Sequence, residues 1–133
     1  MTKAEIRRER MRVQAAFRKI QRKLGQSFDL TFYVDTDNNV LCVWPDVWPE
    51  DPRSFKVGFH PDFVSALTRH ELEQDALHET YHMIHWPLRE SAVDGMDDSN
   101  VDEWQERVWE PVIREITRRT APYILRRPWV GGN

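Results

Sequence analysis

The chain has 133 residues, enough for one modest domain with a real core and too few for two independent ones. Hydrophobic residues at 40%, including six Trp and six Phe, favour a folded globule over disorder despite 31% charged residues. A single cysteine, Cys42, excludes an intrachain disulfide, and its place in the apolar run Val40–Trp44 suits core filling. No stretch approaches the ~18 apolar residues of a membrane span, and the basic N-terminus lacks the apolar segment of a signal peptide, so a cytoplasmic protein without membrane contact is expected.

Net charge is −3 but unevenly placed. Residues 1–25 hold nine Lys or Arg and two Glu, whereas the remainder holds ten basic and twenty acidic residues. A basic first segment fits either an amphipathic helix with a wet arginine face or a contact with nucleic acid. No base-reading motif accompanies it.

Thr2-Lys3-Ala4-Glu5 has the form of a capping box, and Ile6, Val13, Phe17, Ile20 and Leu24 follow at helical spacing until Gly25. A long first helix with one buried stripe is predicted. The period then changes to two: Phe28, Leu30, Phe32 and Val34 alternate with polar residues and predict a strand. Asp35–Asn39 supplies a turn, Val40–Trp44 the returning strand, and Phe55–Phe59 a third, short strand suited to a sheet edge.

His60-Pro61-Asp62 begins a short helix, and Thr68–Glu71 forms a second capping box before a longer one that ends near Trp86-Pro87. A polar loop covers residues 91–100, with caps offered by Asn100/Glu103 or Ser99/Asp102. The final helix is predicted to reach about Arg119, with Pro111 a potential kink, and residues 120–133 form a C-terminal arm. The whole is predicted to be a single compact α+β domain.

Within the Thr68–Trp86 helix stands His78-Glu79-Thr80-Tyr81-His82, an H-E-x-x-H sequence. On a helix, residues 78 and 82 lie one turn apart on one face, so both imidazoles can reach one zinc ion while Glu79 sits beside it as general base. A catalytic zinc ordinarily takes three protein ligands. His85 and His60 are candidates, but His85, though it shares the face, spreads too far along the axis. The final helix offers Asp102, Glu103, Glu106 and Glu110. At about 100° per residue, Glu106 falls nearest Trp109 and Ile113, whereas Glu103 and Glu110 turn toward solvent. Glu106 is therefore the expected third ligand and Asp102 the reserve; Tyr81, His60, His85 and Arg107 are candidate donors to a developing oxyanion.

These residues give the chain a resemblance to minimal zincins of the gluzincin type, close to small metallopeptidase-like proteins of phages and bacteria. The resemblance covers roughly residues 27–119. It implies a zincin-like fold with a long N-terminal helix, a small, mainly antiparallel three-stranded sheet, an H-E-x-x-H helix and a C-terminal helix. It also implies a Zn2+ cofactor on His78, His82 and Glu106, and Glu79-assisted hydrolysis of a peptide or protein substrate lying along the Phe55–Phe59 strand. Thr80 stands where a small or aliphatic residue is usual, and the fuller downstream glutamate motif of larger gluzincins is absent. A noncatalytic zinc-stabilised binding domain is the competing expectation, and a nucleic-acid-associated module a third.

Overall fold

A computed structural model of the chain describes residues 1–37 and 39–130. Asn38, in the expected turn, and residues 131–133, at the end of the expected arm, lie outside the described residues. The elements in order are α1 (Lys3–Leu24), β1 (Asp29–Val34), β2 (Leu41–Val47), β3 (Asp51–Phe59), α2 (Pro61–Ser65), α3 (Arg69–Ile84), α4 (Trp86–Val93), α5 (Asp98–Trp104), a π-turn (Gln105–Trp109) and α6 (Glu110–Ile124). The architecture is α+β, with several helices and one three-stranded sheet.

Both capping boxes form. Thr2 and Glu5 exchange hydrogen bonds of 3.0 and 3.1 Å at the start of α1, and Thr68 and Glu71 do so at 2.9 and 3.1 Å before α3. Gly25 ends α1 at φ 66°, a left-handed conformation that glycine adopts without a Cβ penalty. α1 buries Val13, Phe17 and Ile20 completely. Each such burial contributes about 1.5–3 kcal/mol, against about 0–1 kcal/mol for an exposed ion pair. α1 is therefore held by its apolar stripe, and most of its arginines are not needed to keep it in place.

The sheet departs from the expected one. Its order is β1-β3-β2, so β3 is central and not an edge. β1 pairs with β3 in parallel and β2 pairs with β3 antiparallel, which makes the sheet mixed, not mainly antiparallel. The alternation read from sequence is correct, but neighbours in sequence need not be neighbours in space. Phe55, Val57 and Phe59 of β3 are fully buried, as a central strand requires. A peptide cannot pair along β3, because both of its edges are taken.

Tyr33, Gly58 and Cys42 occupy one register row across the three strands. A Cβ on Gly58 would stand 2.8 Å from Tyr33 Oη, 2.9 Å from Cys42 Sγ and 3.1 Å from Asp35 Cβ. The glycine is what lets the side chains of both flanking strands close over the middle one.

α3 is the central helix: residues around nearly its whole circumference are buried, among them Leu72, Glu73, Gln74, Ala76, Leu77, Thr80, Tyr81, His82 and Met83. Lys19 of α1 binds Glu73 at 2.8 Å. Arg12 reaches the carbonyls of Val64 (3.2 Å) and Leu67 (2.9 Å) at the end of α2, which fixes the approach to α3. Past α6, the arm is pinned to α3: Gln74 Nε2 donates to Val130 O (2.9 Å) and Gln74 Oε1 accepts from Val130 N (2.8 Å).

The C-terminal helical stretch differs from expectation in three ways. Asp97 caps α5 by accepting from Asn100 N at 2.8 Å, ahead of either expected cap. α6 continues through Pro122 to Ile124. Between α5 and α6 lies the π-turn, closed by Glu110 N–H donating to Gln105 O. Pro111 follows directly. It has no N–H to give, and its ring crowds the carbonyl four residues earlier, so a widened turn suits the chain there.

Replacing Gly58 by alanine is expected to destabilise the fold by about 1–3 kcal/mol, because overpacking must displace Tyr33 or Cys42. Urea unfolding should show a lower midpoint with an unchanged slope.

Candidate metal centre

His78 and His82 project from one face of α3 toward α6, one turn apart, with ring centroids 4.8 Å from each other. Their Nε2 atoms are 3.2 Å apart. Opposite them stands Glu110, at the start of α6: its Oε1 lies 2.5 Å from His78 Nε2 and its Oε2 2.9 Å from His82 Nε2. Among the described residues, His78, His82 and Glu110 form the group of side chains placed to hold a metal ion.

Glu106 is not in that group. It is exposed, lines the same cavity, and makes no ion pair among the described residues. A helical wheel places Glu106 at the seam only where α-geometry runs unbroken from residue 101 to 116. The π-turn takes five residues where an α-turn takes fewer, which shifts the phase of everything before it relative to α6. Beyond the turn the phase is regular. Glu110 and Thr117 are seven residues apart on one face, and both meet His78. The available signal was Pro111, which marks the helix as irregular just where the acidic residues must be placed.

The other sequence candidates lie elsewhere. Asp102 is exposed on the cavity wall. Glu103 pairs with Arg107 at 3.2 Å, so Arg107 is engaged away from Glu106. His60 caps α2 through Nδ1 and stacks on Phe63 with centroids 3.9 Å apart. His85 is the C-cap of α3 and lies beside the Tyr81 ring at 6.4 Å. Tyr81 is buried and bonds Thr120 Oγ1 at 2.7 Å, a packing role.

The donor set fits a divalent ion. Two ligands on a tetrahedral ion with bonds of ~2.0–2.1 Å stand about 3.3 Å apart, close to the 3.2 Å between the imidazole nitrogens; the Glu110 oxygens, at 2.5 and 2.9 Å from them, sit at hydrogen-bond distance and draw back slightly to admit an ion. Thr117, fully buried, offers His78 Nδ1 a hydrogen-bond partner. Its hydroxyl donates to Ile113 O (2.7 Å), so toward His78 Nδ1 (3.4 Å) it acts as acceptor. With the ring proton on Nδ1, the Nε2 lone pair is available to an ion; without an ion, a proton on Nε2 faces Glu110. Burial holds the His82 imidazole below its ordinary pKa against the opposing pull of Glu110, which keeps it neutral and able to ligate. Its ring packs against Trp109, 5.6 Å between centroids. Burial opposes ionisation of Glu110, but the hydrogen bonds to His78 and His82 outweigh it and hold the carboxyl below the usual range.

A cavity of about 500 Å³ opens on this cluster, with Glu79, His82, Gln105, Glu106 and Glu110 in its wall. Burial first, then the Glu110 and Asp75 carboxylates, push the Glu79 carboxyl well above its ordinary range. The opposite wall is β2, through Leu41, Cys42 and Val43. Burial and then the hydrogen bond to Asp35 push the Cys42 thiol up to about 12, so it stays protonated and donates to Asp35 at 3.4 Å. Gln105 Oε1 accepts from Arg89 Nε (2.8 Å) and Nη2 (2.5 Å), and the guanidinium lies 4.5 Å over the Trp86 ring. Since arginine only donates, the Gln105 amide NH2 is the end left for a ligand.

No protein family, curated protein or solved structure matches the chain.

Two expectations follow from this geometry. Thr117→Val keeps the shape but removes the acceptor, and should weaken metal binding about 10–100-fold in a chelator competition, whereas Thr117→Ser should retain it. Asp75, one turn before His78, is lifted by burial from 3.8 to about 6. Its protonated form favours the fold, so its contribution is full below pH 3.8 and is lost as pH rises through about 6. In metal-free protein at neutral pH, Asp75→Asn should therefore raise stability by about 1–2 kcal/mol, an advantage that vanishes by pH ~4 in urea titrations.

Proposed function

We propose that the chain is a zincin-like, zinc-dependent peptidase, with His78, His82 and Glu110 as ligands and Glu79 as general base. The observation that carries this reading is the convergence of two imidazole Nε2 atoms and one carboxylate, with His82 and Glu110 lining an open cavity that Glu79 lines as well. Two nitrogens and one carboxylate oxygen, with room for water, form a donor set that zinc hydrolases use. Bound zinc would supply Lewis acidity toward a carbonyl oxygen and toward water.

The chain's own residues supply the rest. Glu79 accepts the proton of the attacking water and delivers it to the leaving amine nitrogen. Gln105, its carbonyl oxygen clamped by Arg89, offers an amide N–H to the substrate carbonyl. β2 is an edge strand and lines the cavity, so an extended peptide gains main-chain hydrogen bonds there while its carbonyl faces His82 and Glu110. β2 thus takes the part that the sequence argument gave to β3.

Metal content and peptide turnover test this together. Purified protein should carry about one zinc per chain at a three-ligand site. Glu79→Gln should keep the metal and lose about 10²–10⁴-fold in kcat. Glu110→Ala should lose most of the metal, and Glu106→Ala should keep it. A Glu79→Gln variant as active as the parent, or a Glu110→Ala variant with full metal, overturns the assignment. Metal without turnover in the parent would favour a zinc that serves folding alone.

A further inference from the structure

A second concave region lies on the α1–α3 seam and shares no lining residue with the metal cavity. It is a groove of about 410 Å³ whose charged lining is Arg12, Arg18, Lys19, Arg22, Arg69 and Glu73, five cations against one carboxylate. Three of these charges are already engaged. Glu73 binds Lys19 at 2.8 Å, and Arg12 is held by Glu9 (2.8 Å) and by the Val64 and Leu67 carbonyls. Arg18 and Arg22 are exposed and have no carboxylate within ion-pair distance among the described residues. Arg69, its side chain 86% exposed, keeps only a 3.6 Å contact to Glu73.

We propose that this groove docks the sugar-phosphate backbone of a nucleic-acid duplex. Arg18 and Arg22 stand on successive turns, about 6 Å apart along the helix axis, and Arg69 faces them across the groove. Lys3 and Arg7, without carboxylate partners among the described residues, extend the positive line toward the start of this 22-residue helix, about 33 Å long. A line of unneutralised charge matches a repeating anion, where counterion release supplies the affinity.

Other polyanionic partners fit less well. A membrane surface needs an apolar face to insert, yet the apolar stripe of α1 is spent on the core and Met11 is the large apolar side chain it leaves exposed. A protein partner needs an aromatic or aliphatic anchor, whereas the apolar lining is Ala15, Ala16 and Leu72, the last of them buried. No aromatic side chain lines the groove, so base stacking on a single strand has no platform. Docking of this kind reads backbone and not sequence. It requires neither metal nor Glu79.

The test is fluorescence anisotropy of the whole protein with short DNA and RNA duplexes, titrated from about 50 to 200 mM KCl. The parent should bind at least one duplex, with affinity falling steeply with salt. The triple variant Arg18→Gln/Arg22→Gln/Arg69→Gln changes only exposed side chains and should melt as the parent does. Its log affinity against log salt should be shallower by about 2.7, since each lost phosphate contact removes ~0.9. Arg118→Gln/Arg119→Gln, arginines already bound to Glu115 (2.7 and 2.6 Å), should leave binding unchanged. DNA and RNA arms identify which duplex is preferred. Absence of binding to both at ~50 mM KCl, an unaltered slope in the triple variant, or equal competition by polyglutamate or anionic lipid vesicles would each overturn the proposal.

Discussion

Glu110 holds two imidazoles at once, and the molecule is arranged around that contact. A half-buried carboxylate is costly unless positive or hydrogen-bonding groups face it. Here those groups come from another helix, so the seam between α3 and α6 has a polar centre within apolar packing from Trp109, Ile113 and Leu77. With no ion, at least one imidazole must carry a proton toward Glu110. With an ion, all three lone-pair donors face one charge.

How far the sequence led depends on whether each feature is local or relational. Caps are local, and Thr2, Gly25 and Thr68 do what their residue types dictate. The H-E-x-x-H spacing is local too, and on α3 it puts both imidazoles on one face. Strand order is relational. Alternation in Phe28–Val34 and in Phe55–Phe59 identifies strands but does not say which is flanked on both sides, and β3 is the flanked one. The third carboxylate failed for a subtler reason. A helical wheel adds angles residue by residue, so one widened turn spoils all comparisons across it. Glu106 lies within such a turn and Glu110 just beyond it.

Charge is partitioned over the surface in the same sense as along the sequence. The cavity beside Glu110 counts Glu79, Asp102, Glu106 and Glu110 among its lining residues and no lysine or arginine. The α1–α3 groove is its electrostatic opposite. A small net charge thus conceals two regions of opposed sign, and an anionic partner is repelled from one while it is drawn to the other.

The pinning of the arm by Gln74 has a bearing on how the protein comes into being. Glu73 and Gln74 are adjacent, yet one ties α3 to a lysine 54 positions away and the other to a backbone 56 positions away. Segments made early and late in translation are thereby brought to the same helical turn. The carboxylate opposite His78 is itself synthesised 32 residues after it. A nascent chain that has emerged only through α3 displays the pentapeptide but not the pocket around it. Contacts of such long sequence separation form late, so any reactivity the site possesses is withheld until α6 has followed α3.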